Sequence, residues 1–322
     1  MVRAKSKPRP IQERKPRRLD FFESPRHLGT MKKENPSSSA PGPIPLVSSV
    51  APLAAATDAW LVDIWGVMHN GVKPFHDAAR ACTTFRRIGG TVMLLSNAPR
   101  PASSVVEQLD RIGVPASAYD VILTSGDAAR TMIGNLAGQP VYHLGPERDR
   151  PLFAGSGVVC TPLQDAKAII CTGLFDDENE TPDDYREWLQ SAHARGLPMI
   201  CANPDLKVER GGKIVWCAGG VAALYATLGG NVSYAGKPYA PIYKLAFDEL
   251  SRLRGANVLR DRVLAIGDGV NTDIAGAGTA GVRSVFIASG VHVDGGLDAQ
   301  ALERIFADAP TRPVAAMAEL AW

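Results

Sequence analysis

The stretch Leu61-Val62-Asp63-Ile64-Trp65-Gly66-Val67 constrains the fold more than any other part of this 322-residue chain. An apolar run enters it from Ala59-Trp60, an aspartate sits inside it, and a glycine closes it. A carboxylate within a buried strand is costly unless something compensates it. In an open parallel sheet the compensated place is the C-terminal lip of a strand, where ligands collect. Asp63 therefore reads as a reactive group held at the mouth of a sheet, with later segments brought to meet it.

From Ala59 onward short apolar runs alternate with amphipathic ones. The pattern predicts strands over residues 59–67, 91–96, 121–125, 262–267 and 283–288. Helices are expected between them, over 76–88, 102–112, 126–137, 240–254 and 273–280. Such alternation means βαβ units and a parallel sheet, and right-handed crossovers put every strand's C-terminal end on one edge. Residues 139–232 alternate separately, with strands at 141–144, 166–171 and 198–202 and a helix at 182–194. They read as an inserted α/β domain over the sheet edge, splitting the larger domain into 51–138 and 233–322.

Charge divides the chain. Residues 1–35 hold eleven Lys/Arg against four Asp/Glu, so of the net +2 this arm carries +7 and the other 287 residues −5. The folded part thus has no nucleic-acid footprint. Residues 1–50, Arg-Pro-rich and then Pro-Ser-rich, read as a disordered solvated tail, with Met31 a candidate start. The five cysteines include no CxxC, and several sit in apolar runs, as buried free thiols do in a reducing cytoplasm. No apolar run reaches transmembrane length, so no membrane partner is expected.

Four pieces fall at strand ends: Asp63 with Gly66-Val67; Ser96-Asn97-Ala98-Pro99; Gly236-Lys237-Pro238; and Gly267-Asp268-Gly269 followed by Thr272-Asp273. They supply a nucleophile, a hydroxyl, a fixed cation and a second carboxylate pair. Separated acidic strand ends suit a hard cation such as Mg²⁺. Serine and lysine on the same edge suit the oxygens of a transferring phosphoryl group. Each piece alone has an ordinary explanation, a helix cap or a turn. Their order and placement make the joint reading specific.

With Leu95-Ser96-Asn97, Thr124-Ser125-Gly126, Ala202-Asn203-Pro204-Asp205, Gly236-Lys237-Pro238 and Gly267-Asp268…Thr272-Asp273-Ile274 in sequence, the chain resembles the haloacid dehalogenase superfamily. The likeness is to its class IIA phosphatases, which insert a large cap between the second and third motifs, and it spans residues 59 to about 290. It implies a Rossmann-like parallel core with an inserted α/β cap that opens and closes. It also implies Mg²⁺-dependent hydrolysis of small phosphorylated metabolites. In that reading Asp63 forms an aspartyl-phosphate. The Asp63 carboxylate, the Trp65 carbonyl and Asp268 hold Mg²⁺, with Asp273 beside them. Ser96 and Asn97 bind phosphoryl oxygens, and Lys237 pairs with Asp63 and the phosphate.

One position departs from the family pattern. Where the family has the aspartate that protonates the leaving group, this chain has Trp65, whose indole N–H does not titrate. General acid–base assistance is typically worth ~10²–10⁴ in rate, so alkyl phosphates should suffer most from its loss. His69 is a candidate replacement, against a bland alternative in which it packs the loop. In the insert, Arg210, Gly211, Gly212 and Trp216 read equally as substrate contacts or as a hairpin. A non-catalytic phospho-ligand binder and a phosphotransferase remain as alternatives, and a homodimer is left open.

Overall fold

The computed structural model describes residues 42–210, 213–288 and 297–322. Among the described residues thirteen strands form two parallel sheets and a hairpin. In chain order they are β1 Ala59–Val62, β2 Thr91–Ser96, β3 Val121–Thr124, β4 Pro140–Leu144, β5 Val159–Cys160, β6 Ala168–Cys171 and β7 Met199–Cys201. There follow β8 Lys207–Arg210, β9 Lys213–Trp216, β10 Val232–Tyr234, β11 Val263–Gly267, β12 Arg283–Ile287 and β13 Ala315–Met317. The helices are α1 Ala51–Ala54, α2 His76–Arg87, α3 Ala102–Ile112, α4 Ser125–Gly134, α5 Arg186–Ala194, α6 Ala218–Thr227, α7 Ala240–Arg254, α8 Ala275–Thr279 and α9 Ala299–Ile305.

The larger sheet has the order β13-β12-β11-β1-β2-β3, every pair parallel. From β1 the chain moves outward to β2 and β3. It re-enters at β11 on the other side of β1 and moves outward again to β12 and β13. The order therefore reverses between β1 and β11, where an open α/β sheet has its ligand crevice. The smaller sheet, β10-β7-β6-β4-β5, is also wholly parallel. Together they are the Rossmann-like core and the inserted α/β cap.

Both faces of the larger sheet are covered, and its central strands β1 and β11 are buried at every position. Trp60, Val62, Val92, Leu94, Leu264 and Ile266 pack on one side with Phe85 of α2, whose ring stacks on Trp60 at 4.0 Å. Leu61, Met93, Leu95, Val263 and Ala265 pack on the other with Ile242 and Ala246 of α7. That second layer does not stop at the domain edge. It runs through Ala129 and Ile133 of α4 into Ala168, Ile170 and Ile200 of the smaller sheet. The cap thus shares buried apolar surface with the core, and hinging it away would expose that surface to water. Local chemistry orients α4: Thr124 and Asp127 form a reciprocal capping box at its start.

Several expected boundaries shift. The first strand ends at Val62 rather than 67, because the chain turns through Gly66 at φ +78°. The smaller sheet runs past residue 232, since β10 pairs with β7 through Tyr234. Residues 44–50 are not a tail. Ile44 and Val50 are buried, Leu46 bridges to Ala316, and Ala316 N–H donates to the Pro45 carbonyl at 2.9 Å. Residues 1–41, including Met31, lie outside the described residues. The segment after residue 206 is an antiparallel hairpin in which the Lys207 ammonium sits 4.0 Å from the Trp216 ring; Gly211-Gly212 lie outside the described residues.

Candidate active site at the lip of the larger sheet

Asp63 is the first residue beyond β1, Ser96 the last of β2, and Asp268 the first beyond β11. Lys237 lies three residues beyond β10, so the cation comes off the last strand of the cap sheet. Its ammonium donates to Asp63 Oδ1 at 2.6 Å, Asp273 Oδ1 at 2.7 Å and the Leu95 carbonyl at 3.0 Å. Lys237, Asp63 and Asp273 are all buried. Burial alone would drive Lys237 toward its neutral form, but the carboxylates of Asp273 and Asp63 more than offset this and hold its pKa above the usual lysine range. The ammonium therefore stays charged.

The loops that carry these groups are tied to one another. Asn97 and Lys237 exchange two hydrogen bonds: the Lys237 N–H donates to Asn97 Oδ1 at 2.8 Å, and Asn97 Nδ2 donates to the Lys237 carbonyl at 3.1 Å. The same Nδ2 reaches Asp205 Oδ1 at 2.8 Å. Gly236 makes this approach possible, since a Cβ there would lie 2.5 Å from Asn97 Oδ1 and 2.6 Å from Ser125 Oγ. The Asp273 carboxylate is anchored a second time, because Oδ2 accepts from the Gly269 N–H at 3.0 Å. Ser96 Oγ accepts from the Ala98 N–H at 3.1 Å, which orients the hydroxyl at the strand end.

Carboxylate oxygens of Asp63, Asp268 and Asp273 lie within 4.8 Å of one another. Among the described residues Asp63 and Asp273 share a single ammonium, so this pair carries more negative charge than its cation balances. Burial, then repulsion from Asp273, accordingly pushes the Asp63 carboxyl well up despite the pull of Lys237. An all-oxygen donor set with that deficit fits a hard divalent cation. Asp268 lies directly against the Gly66 backbone, where a Cβ would collide with its carboxylate. Asp273, with both oxygens already bonded, fits behind Asp63 and Asp268 rather than in front of them.

The structure places the eight residues expected at the site in different settings. Asp63, Ser96, Lys237, Asp268 and Asp273 gather at one lip. Asn97 reaches it too, but its side chain is engaged with Lys237 and Asp205. Trp65 sits in the loop beyond Asp63, with Gly71 beneath its ring so closely that no side chain fits there. His69 packs edge-on against that ring at 5.2 Å and is 1% exposed. Its Nδ1 accepts from the Gly71 N–H at 2.9 Å, and burial pushes its pKa down to about 4. A neutral, buried ring bonded to its own loop is a staple, so the packing alternative is the one the geometry favours. Asp205 and the Leu95 carbonyl were not expected in site roles. Only the Ala202-Asn203-Pro204-Asp205 motif pointed to the former.

A parallel α/β sheet with a carboxylate at its switch point, a buried lysine across from it and a capping sheet above defines a haloacid dehalogenase-like hydrolase. Residues 60–159 match the haloacid dehalogenase-like hydrolase family, and residues 234–319 a family described as HAD-hydrolase-like. The crystal structure of a haloacid dehalogenase-like hydrolase from Brucella suis 1330 is 42% identical, with 85% of this chain and 100% of that one covered at a TM-score of 0.77. The chain belongs to this family. It is similar to the D-glycerol 3-phosphate phosphatase of Mycobacterium tuberculosis, 27% identical over 267 residues that cover 81% of this chain and 69% of that protein. The p-nitrophenyl phosphatase from Archaeoglobus fulgidus shares the fold, at 20% identity, 82% and 96% coverage and a TM-score of 0.66. Among the described residues no helix is long and apolar enough to cross a membrane.

Proposed function

We propose that the protein is a Mg²⁺-dependent phosphatase of small phosphorylated metabolites that works through a phosphorylated Asp63. The observation that carries this reading is the Lys237 ammonium, held between Asp63 at 2.6 Å and Asp273 at 2.7 Å at the switch point of the sheet. A lysine so placed pulls Asp63 toward its ionised, nucleophilic form against the burial that opposes it, and balances charge on the phosphoryl group in the transition state. Relatives named for phosphatase action on glycerol phosphate and on p-nitrophenyl phosphate support the substrate class.

In this mechanism the Ser96 hydroxyl and the N–H groups of the loop after β2 receive the phosphoryl oxygens. The Asn97 side chain fixes that loop to Lys237, so the oxygen-binding groups and the ammonium keep one spacing. Asp63, Asp268 and the Trp65 carbonyl would hold Mg²⁺, with Asp273 behind them. Bound there, Mg²⁺ would supply positive charge that offsets the repulsion between phosphoryl oxygens and the Asp63 carboxylate. The Asp63 carboxylate then attacks phosphorus, and water later hydrolyses the acyl phosphate.

The first test is hydrolysis of p-nitrophenyl phosphate with and without Mg²⁺, in the native chain and in Asp63→Asn. Metal-dependent turnover that disappears in the variant is expected. Turnover that persists in Asp63→Asn contradicts the reading.

A further inference from the structure

The Trp65 indole leaves the site without a proton donor at the position where this fold normally has one. The remaining acids near the lip are mostly committed. Asp63 is the nucleophile of the proposed reaction, Asp273 has both oxygens bonded, and Asp268 lies against the Gly66 backbone within the carboxylate set. His69 is stapled to Gly71. Among the described residues, the carboxyl tied to this lip through Asn97 is Asp205, and it comes from the cap.

Asp205 stands on the loop after β7. Its N–H donates to Asn203 Oδ1 at 3.0 Å, and Oδ1 accepts from Asn97 Nδ2 at 2.8 Å. Among the described residues Oδ2 has no hydrogen-bond partner, and the residue is only partly buried. The loop is rigidly backed, because α6 begins so close that a Cβ at Gly219 would collide with the Pro204 and Asp205 carbonyls. Asp205 is thus one side chain from the Lys237 loop and one residue from Ser96. In phosphoryl transfer the attacking and leaving oxygens lie roughly in line. With Asp63 attacking from the core sheet, the leaving oxygen departs on the far side, toward the cap loops that hold Asp205.

We propose that Asp205 is the general acid and base of this site, doing from the cap what Trp65 cannot do from the core. The proposal rests on the phosphatase reading. As Asp63 forms its bond to phosphorus, the P–O bond to the alcohol breaks and the Asp205 carboxylic proton passes to the departing oxygen. Water then attacks phosphorus and gives its proton to the Asp205 carboxylate, the Asp63–phosphorus bond breaks, and inorganic phosphate leaves. Both residues return to their starting states. The surroundings suit a proton carrier. Burial pushes the Asp205 carboxyl up, opposed by the Asn97 hydrogen bond and the Lys237 charge and aided by Asp273 and Asp268.

The experiment compares Asp205→Asn with the native chain, on glycerol phosphate and on p-nitrophenyl phosphate, by stopped flow. Asparagine keeps the oxygen that accepts from Asn97, and Asp205→Ser offers a second neutral variant should asparagine fold poorly. The expected result is a fall in kcat on the alkyl ester of ~10²–10⁴. The aryl ester should give a burst of about one nitrophenolate per chain and then slow turnover, because its first step needs no acid while water attack still needs a base. Adding Trp65→Asp to Asp205→Asn should restore alkyl turnover. Equal losses on both esters without a burst, or no loss on either, would overturn the proposal. Asp63→Asn run in parallel separates the two readings: if it still releases nitrophenolate, the phosphatase reading itself fails.

Discussion

The two parallel sheets present contrasting strand ends to a shared cleft. The larger one ends in carboxylates, Asp63 after β1 and Asp268 after β11, packed within a few ångströms of one another. The smaller one ends at β4 and β6 in His143 and Thr172, whose Nε2 and Oγ1 lie 2.9 Å apart beside the buried Asp149, and then delivers Asn203-Asp205 after β7 and Lys237 after β10. Neither lip holds a complete site. In the proposed reaction the nucleophile stands at the end of one sheet, while the loop that carries its cation runs from β10 of the other into α7 against the core, so the apolar layer through α4 that joins the two sheets helps fix their spacing.

The most severe challenge to this division of labour is to remove the shared cation. Lys237→Met leaves Asp63 and Asp273 buried without their shared cation, which typically costs ~3–5 kcal/mol. Urea unfolding should register that loss together with abolished turnover, and unchanged stability would show that the two carboxylates do not depend on the ammonium.

Ile133→Ala probes the layer between the sheets. Removing this fully buried side chain should cost ~2–5 kcal/mol. Both sheets should still unfold in one transition, followed by fluorescence of Trp60 in the core and Trp188 against the cap. Two separate midpoints in the native chain would instead mean that the cap folds on its own.

Asn97→Ala unfastens the Lys237 loop and Asp205 together. A displacement of about 1 Å in a catalytic group can cost ~10²-fold, so kcat should fall by up to that factor. The stability loss should stay near ~1–3 kcal/mol, the cost of leaving buried partners unsatisfied. If kcat holds while stability falls, Asn97 is structural only.

A weaker effect belongs to the β4 and β6 ends of the smaller sheet. Burial, and after it the Arg150 charge, pushes the His143 pKa down to about 4, below its ordinary 6.5. Between those values the unfolded chain binds more protons at this position, so the stabilisation is present above about pH 6.5 and is lost as pH falls toward 4. The ring is only partly shielded, so His143→Gln should flatten the stability–pH slope by less than ~1 kcal/mol per unit. Denaturant midpoints at pH 7 and pH 4.5 measure it, and identical slopes would mean that the ring titrates alike in both states.

Much of this was legible in the sequence because it is local. Residues 91–96 and 240–254 carry their element in their own apolar pattern, and both appear with those bounds. Asp63, Ser96, Lys237 and Asp268 were recognisable because each stands at or just beyond a strand, and parallel strands share an edge. What escaped depends on distant partners. The run at 44–50 has the composition of a tail, and Ile44 is buried only because residues 45–47 pair with Ala316 at the other end of the chain. Helix α6 is Ala- and Gly-rich and apolar all round, so it carries no helical period. Asp205 looked like a turn residue because its partner, Asn97, lies 108 positions away. His69 was ambiguous for a related reason: a loop histidine declares its role only when the neighbours that bury it are known.

Whether Asp63 is the group that takes the phosphoryl from substrate can be read from the protein itself. The chain is quenched in acid while turning over p-nitrophenyl phosphate with Mg²⁺, and its peptides are mapped by mass spectrometry. A single hydroxylamine-labile phosphoryl group is expected on the peptide containing Asp63, and none on Asp63→Asn. A phosphoryl group on another residue during turnover would rule out this assignment. So would hydrolysis with no phosphorylated peptide even when water attack is slowed by Asp205→Asn.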